Sequence, residues 1–180
     1  MNPQLQSKLE ELVDRQEIAE LSYKYARAQD RLDGALQRSV FHDDAWTDYG
    51  YFKGDADGFV AFAQDVLRRN EVTQHLLGQM DIQINGATAY GEIYNHAFHR
   101  MTREGALVDL IVAGRYIDRY EKRDGVWKIA YRSEIVDWAR YEPGSNEFFE
   151  RVPTALRTSR DAVDPSDRRS DRKRPSSEAQ

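Results

Sequence analysis

The chain has 180 residues, 40% of them apolar and 11% aromatic, which suits one globular domain with a sizeable core and is short for two. It contains no cysteine, which excludes disulfides, thiolate metal sites and a cysteine nucleophile. The net charge is −5, no apolar run approaches the roughly 18 residues of a membrane span, and Met1 begins no signal-peptide pattern, so we expect a cytoplasmic protein that binds neither nucleic acid nor membranes.

The first part of the chain has the apolar period of helices. Apolar residues recur at helical spacing from Leu5 through Leu9 and Leu12 to about Gln29, which predicts one long helix with a buried face. A short second helix is expected after Asp33, a strand over residues 45–49, and a third helix over residues 59–69.

After residue 70 the apolar period changes to about two residues, which is typical of strands. Strands are predicted over residues 72–77, 79–84, 87–103, 106–121 and 126–138. Tight hairpin turns are predicted at 85–86, 104–105 and 124–125, where a glycine follows Asn, Glu or Asp. The expected fold is α+β, with the N-terminal helices packed on the concave face of a cone-shaped, curved antiparallel sheet that encloses an apolar pocket.

The C-terminal residues 157–180 differ in composition from the rest of the chain. They contain seven basic and five acidic residues and no aromatic side chain. A basic anchor is one interpretation, but the interleaved acids and the small apolar surface favour a disordered tail. We therefore predict a catalytic domain over residues 1–142, a C-terminal extension over 143–156 and a disordered charged tail over 157–180.

Asp30 and His75 are the candidates for acid–base chemistry. Asp30 ends the first predicted helix, and His75 lies in an otherwise apolar strand that is expected to face that helix. Alone, Asp30 would be interpreted as a cap or surface acid, and His75 as a core histidine. Together they are more informative, because a carboxylate fixes the tautomer of a buried imidazole and makes it a better general base.

His96 and His99 lie on one predicted strand, and their odd spacing places them on opposite faces. One of them at most can face the pocket. Metal ligands must converge on one point, so this spacing argues against a catalytic metal. The order of residues contains no Ser-His-Asp triad and no nucleophile elbow, and no covalent nucleophile is evident.

Several other side chains are candidates for substrate contacts or for packing. Tyr49, followed by Tyr51, ends a strand where a phenol could donate to a substrate oxygen or pack at the pocket rim. Tyr116 and Arg132 lie on long strands, where packing or an ion pair is the simpler interpretation. The apolar walls of the pocket are expected from Phe59, Phe62, Val66, Leu76, Leu77, Ile93, Val112 and Trp138.

Short stretches in order over about residues 15 to 140 resemble the SnoaL-like branch of the nuclear transport factor two-like superfamily. Within it the similarity is to scytalone dehydratases, hexachlorocyclohexane dehydrochlorinases and bile acid 7α-dehydratases. No stretch is specific by itself, and their order and spacing carry the resemblance. The matching stretches are residues 28–30, 47–49, 73–78, 99–100 and 120–129.

The resemblance implies a cystatin-like α+β barrel, a homotrimer and elimination without any cofactor or metal. In it His75 is the base, Asp30 orients the base, and His99 matches a second pocket histidine. Tyr49 matches a tyrosine that polarises the substrate carbonyl, and Tyr25 matches one at the same spacing in the bile acid 7α-dehydratases.

Two positions depart from the scytalone dehydratase pattern. Gln29 stands where those enzymes have a second tyrosine, and Tyr116 stands where they have a pocket asparagine. The substrate of scytalone dehydratase is therefore not implied.

The leading hypothesis is a cofactor-independent dehydratase that acts on an apolar, steroid-like or aromatic polycyclic β-hydroxy ketone. His75 removes a proton beside the carbonyl, Tyr49 or Tyr25 stabilises the enolate, and His99 assists the leaving hydroxyl. The alternatives are an isomerase or cyclase that uses the same Asp–His pair, and a non-catalytic small subunit of a ring-hydroxylating dioxygenase. The residues expected to bind substrate are Tyr116, Arg132 and Trp138.

Overall fold

The computed structural model describes residues 2–160, 164–167 and 169. The chain divides into two compact units, Met1–Ser145 and Asn146–Gln180. Within the described residues no helix is long and apolar enough to cross a membrane. Part of the predicted disordered tail, residues 161–163, 168 and 170–180, lies outside the described residues, and the predicted domain bounds and tail stay predictions.

Helices α1 (Pro3–Arg31), α2 (Gly34–Ser39) and α3 (Ala56–Arg68) belong to the first unit, and the short α4 (Glu147–Arg151) belongs to the second. The helices of the first unit begin at side-chain caps. The side chains of Asn2, Asp33 and Asp55 each accept a hydrogen bond from a backbone N–H group in the first turn that follows. These caps satisfy donors that a helix leaves free at its N-terminus.

The buried part of α1 is its C-terminal half. Ile18 and Tyr25 are fully enclosed, whereas Leu5, Leu9 and Leu12 are 51%, 44% and 61% exposed. The prediction of a buried face along the whole helix is therefore wrong for its first turns. The apolar period indicates the face of the helix that turns toward the protein, but the length of that face exceeds the surface available to cover it.

One sheet contains β1 (Phe41–Asp48), β2 (Lys53–Asp55), β3 (Val72–Asn85), β4 (Thr88–Arg103), β5 (Ala106–Arg123) and β6 (Val126–Pro143). The strand order is β2-β1-β6-β5-β4-β3, and β3 to β6 form the predicted antiparallel meander. The α+β fold with a curved sheet is confirmed. The sheet is open at β2 and β3 and not closed into a barrel, and β1 pairs with β6 in parallel, which the sequence does not predict.

The predicted hairpin turns form, with one displacement. Both residues of the pairs 104–105 and 124–125 have φ between 51° and 80°, as a tight primed turn requires. In the first hairpin Asn85 pairs with Thr88, so the loop begins at Gly86 and the turn is displaced by one residue.

Three β-bulges, one in β3 and two in β6, decide which side chains of these strands face the helices. The predicted strands 72–77 and 79–84 are a single strand, β3, whose register shifts between Leu77 and Met80. In β6 the register shifts at Ala130, between the paired positions Ile129 and Tyr131, and again at Asp137, between Val136 and Trp138. Because side chains alternate between faces, one extra residue reverses the inward-facing set for the rest of the strand.

Arg132 is fully buried between β6 and α1. Its Nε and Nη2 atoms donate to the two carboxylate oxygens of Asp118 at 2.8 and 2.7 Å, and Tyr120 donates to the same carboxylate. The guanidinium carbon lies 4.2 and 4.4 Å from the ring centroids of Tyr25 and Tyr116. Burial of two charges is costly, so the pair depends on these mutual hydrogen bonds and aromatic contacts.

We predict that Arg132→Met lowers the free energy of unfolding by about 3 to 5 kcal/mol, because the carboxylate of Asp118 is left buried without its counter-charge. Urea unfolding followed by circular dichroism measures the loss. The double variant Arg132→Met/Asp118→Leu should regain part of it, since no uncompensated charge then remains. A double variant that loses the sum of both single losses would contradict this explanation.

Candidate active site

Asp30 and His75 are brought together where the last turn of α1 meets the start of β3. The Nδ1 atom of His75 lies 2.8 Å from Oδ1 of Asp30, and the backbone N–H of His75 lies 3.1 Å from both carboxylate oxygens. The side chains of His75 and Asp30 are 6% and 12% exposed. A carboxylate at Nδ1 keeps the ring hydrogen on that atom, which leaves Nε2 as a proton acceptor.

A cavity of about 620 Å³ lies next to this pair, between α3 and the concave face of the sheet. His75 lines it, whereas Asp30 lies behind the ring and faces a smaller surface pocket of about 340 Å³. Apolar walls with a few convergent polar groups are typical of small-molecule sites. The polar lining residues include Gln29, Tyr49, Tyr51, Asn70, His75, His99 and Glu134.

Tyr49 lines the cavity, and Tyr25 is fully buried beside it. Their hydroxyl oxygens are 2.7 Å apart, and Nε2 of Gln29 donates to the Tyr25 hydroxyl at 3.1 Å. Burial raises the pKa of Tyr25 to about 12 and that of Tyr49 well above its usual value, although the charge of Arg132 opposes both shifts. Both phenols are therefore neutral near pH 7, and Tyr49 can donate into the cavity while it accepts from Tyr25.

His99 lies beside His75 on the cavity wall, with the two ring centroids 5.5 Å apart. Its Nδ1 atom lies 3.2 Å from the Thr73 hydroxyl and 3.5 Å from the amide nitrogen of Asn70. An amide nitrogen is a donor, so this arrangement favours Nδ1 as an acceptor and places the ring hydrogen on Nε2.

Tyr116 lines the cavity, but Arg132 does not. Arg132 lies below the floor, covered by the rings of Tyr116 and Tyr25, and its exposed fraction is 0%. The expected contact between Arg132 and substrate is therefore wrong, and its ion pair with Asp118 follows the simpler interpretation. Arg132 acts on the site through the rings that it holds.

The structure places Trp138 on the outer face of the sheet. It is 47% exposed, and its ring centroid lies 5.9 Å from that of His96, so neither side chain reaches the cavity. Regular alternation of side chains from Arg132 onward would place Trp138 on the inner face of the sheet. The bulge at Asp137 reverses that alternation. The prediction that Trp138 lines the pocket and binds substrate is therefore wrong.

The apolar walls come mainly from α3 and the middle strands. The predicted wall residues that line the cavity are Phe59, Phe62, Val66 and Val112. Leu76 is 67% exposed on the outer face, and Ile93 is buried in the core below the site. Leu77 packs partly against that core and does not line the cavity.

Glu134 is a cavity residue that no sequence motif indicates. It lies on β6 opposite Tyr116 and faces inward, two residues after Arg132. Burial raises the pKa of its carboxyl, and the nearby charge of His75 opposes that shift. The even spacing from Arg132 on a strand of alternating faces is the signal that could have identified it.

Among the described residues no group of three or more His, Cys, Asp or Glu side chains could hold a metal ion. The opposite faces of His96 and His99 are consistent with the spacing argument. The chemistry that the cavity can support from its own residues is proton transfer, with a base at His75 and donors at Tyr49, His99 and Glu134.

The fold is an α+β fold in which a curved, open sheet and the helices on it enclose an apolar cavity. Residues 10–133 match the SnoaL-like domain, and the chain belongs to this family. The resemblance seen in the sequence motifs is thereby confirmed. No curated protein sequence matches the chain significantly.

Three solved structures illustrate the relationship. A proposed scytalone dehydratase from Novosphingobium aromaticivorans has a TM-score of 0.65 and 22% identity over 72% of this chain and 88% of its own. A hexachlorocyclohexane dehydrochlorinase from Novosphingobium barchaimii has a TM-score of 0.68 and 19% identity over 77% and 95%. A proposed aromatic ring hydroxylase from Novosphingobium aromaticivorans has a TM-score of 0.63 and 23% identity over 74% and 94%. Identities this low establish the shared fold and not the reaction. The homotrimer implied by the sequence resemblance also stays a prediction.

The contact between Nδ1 of His75 and the carboxylate of Asp30 predicts the tautomer of His75. In the native protein the neutral ring should carry its hydrogen on Nδ1, because the carboxylate of Asp30 accepts it. In Asp30→Ala that preference should disappear and the Nε2–H form should become prominent. Nitrogen-15 NMR of labelled histidine distinguishes the two forms, and a native His75 protonated on Nε2 would contradict the assignment.

Proposed function

We propose that this protein is a cofactor-independent lyase that eliminates water from an apolar β-hydroxy ketone. The observation that carries the proposal is the contact between Asp30 and His75 at the wall of an apolar cavity. The contact leaves Nε2 of His75 as a base inside a site that also contains a neutral phenol, Tyr49. A base and an electrophilic hydrogen-bond donor are the two groups that removal of a proton beside a carbonyl requires.

The reaction begins when Nε2 of His75 removes the proton from the carbon beside the carbonyl group. The Tyr49 hydroxyl donates to the carbonyl oxygen as it gains negative charge, and Tyr25 holds that phenol in place. The enolate electron pair then forms the carbon–carbon double bond and expels the β-hydroxyl, which takes a proton from an acid on the cavity wall, His99 or Glu134, and leaves as water. Asp30 offsets the positive charge that His75 gains, and a positioned base of this kind contributes about 10² to 10⁴ in rate.

The walls of the cavity favour a flat and largely apolar substrate. The rings of Tyr49 and Phe59 are stacked with centroids 4.4 Å apart, and Phe62 adds a further aromatic surface. The volume of about 620 Å³ falls within the range of sites that hold drug-sized ligands. Aromatic or steroid-like β-hydroxy ketones meet these requirements.

We predict that His75→Gln lowers kcat by about 10² or more while the protein stays folded, because the change removes a proton acceptor and little volume. Asp30→Asn should also be severe, since an amide cannot offset the imidazolium charge. The double variant should be little worse than either single variant, because the two residues act as a unit.

The assay uses a panel of β-hydroxy ketones, from 4-hydroxy-4-phenylbutan-2-one to hydroxy-ketosteroids, with the conjugated product followed by ultraviolet absorption. Circular dichroism of each variant is the control for folding. Near-normal turnover by folded His75→Gln, or conversion of the substrate to an isomer without loss of water, would refute the lyase. The second outcome would identify an isomerase that uses the same base.

We also predict that dialysis against EDTA leaves turnover unchanged, because every acid, base and hydrogen-bond donor in the proposed reaction belongs to the chain. Metal analysis by mass spectrometry provides the control for complete removal. Loss of activity that returns on addition of Zn²⁺ or another divalent ion would replace base catalysis with metal-assisted chemistry.

A further inference from the structure

The proposed elimination needs a proton donor for the leaving hydroxyl group, and Glu134 occupies a suitable place. It extends into the cavity from β6, whereas His75 extends into it from β3, and β4 and β5 lie between these strands in the sheet. The two side chains therefore approach a bound substrate from different strands. Elimination of water needs a base at the proton of one carbon and an acid at the hydroxyl oxygen on the neighbouring carbon. Two side chains on separate strands can reach these two positions.

Glu134 lies in surroundings that favour the acid form of its carboxyl group more than water does. The nearby Arg132 forms its ion pair with Asp118 and not with Glu134, and the hydroxyl of Tyr51 donates to Oε2 of Glu134 at 3.5 Å. Burial raises the pKa of the carboxyl, while the charges of His75 and Arg132 and the polar groups of Tyr51 and Asn95 act against this rise. The net shift of the pKa is upward, which favours the protonated carboxyl that a proton donor requires.

His99, the donor expected from the sequence, is less suited to this step. With its hydrogen on Nε2 it is a neutral imidazole, which is a far weaker acid than a carboxylic acid. As an imidazolium it would carry a positive charge in a ring 5.5 Å from that of His75, which would disfavour proton uptake by His75 until His99 has given up its own proton. Like charges so close in a partly dry site oppose each other.

Glu134 and His75 acquire opposite charges during the reaction, so they attract each other, whereas two positive histidines would repel each other. The carboxyl of Glu134 becomes negative when it gives up a proton, while His75 becomes positive when it accepts one. The positive charge on His75 makes the Glu134 carboxyl more acidic, so the first proton transfer favours the second. The two transfers thus leave a pair of opposite charges in the cavity.

We propose that Glu134 is the general acid that protonates the leaving hydroxyl group while His75 takes the proton from carbon. This inference rests on the proposed lyase function. The carbon–hydrogen bond breaks toward Nε2 of His75, the carbon–oxygen bond breaks, and the hydroxyl combines with the Glu134 proton to leave as water. Transfer of the proton from His75 back to Glu134 through solvent restores both residues, so the net reaction is hydroxy ketone to enone plus water.

The test compares two leaving groups on one carbon skeleton, 4-hydroxy-4-phenylbutan-2-one and its 4-acetoxy ester. Acetate leaves as a stable anion and needs no acid. Glu134→Gln should therefore lower kcat for the hydroxy ketone by about 10² to 10⁴ and for the ester by less than about tenfold. The ester also reports whether the variant is folded and retains its base.

Two further variants complete the design. His75→Gln should lose turnover of both probes, because each reaction needs the carbon proton removed. Glu142→Gln replaces an exposed glutamate on the same strand and should change neither rate.

Equal losses of both probes in Glu134→Gln would overturn the inference, since the residue would then act on the carbonyl side or on the fold. A loss specific to the hydroxy ketone in His99→Gln, with Glu134→Gln unaffected, would assign the acid to His99 instead. Normal turnover of both probes by His75→Gln would refute the proposed lyase itself, which is a separate result from either of these.

Discussion

One buried guanidinium organises the floor of the cavity. Burial of Arg132 requires a counter-charge, and two of its three guanidinium nitrogens donate to Asp118. The two flat faces of the guanidinium remain free to contact aromatic rings. Tyr25 and Tyr116 occupy those faces. The ring of Tyr25 then places its hydroxyl against Tyr49, so the electrostatics of a core ion pair determine where the phenol of the proposed site lies.

The carboxylate of Asp30 has a structural and a chemical role at the same place. His75 lies on β3, an edge of the sheet, where a backbone N–H can remain without a strand partner. Asp30 accepts from that N–H and also from the imidazole ring. Because one side chain fixes both the strand and the ring, the position of the proposed base follows from the way α1 docks on the sheet.

The three similar structures are named as a dehydratase, a dehydrochlorinase and a ring hydroxylase. At 19 to 23% identity the shared fold therefore does not identify the reaction. The proposal for this chain therefore rests on the groups in its own cavity. His75 gains a proton and Glu134 loses one in the proposed cycle, so the charges formed there balance. A neutral Tyr49 supplies the third group without adding any charge of its own.

The sequence by itself determined the three helices of the first unit, the long strands of the meander and the positions of two of its three hairpin turns, and it indicated that Asp30 and His75 lie close together. Helical period, strand alternation and turn chemistry are local properties of the sequence, so they can be recognised without the tertiary structure. The proximity of Asp30 and His75 follows because Asp30 lies in the last turn of α1 and this end of the helix packs on the strand that carries His75. The tertiary structure decided the orientation of Glu134 and Trp138. Both lie on β6, but a bulge at Asp137 turns one toward the cavity and the other toward solvent. Such a one-residue shift is set by pairing with the neighbouring strand, and the local sequence pattern does not contain it.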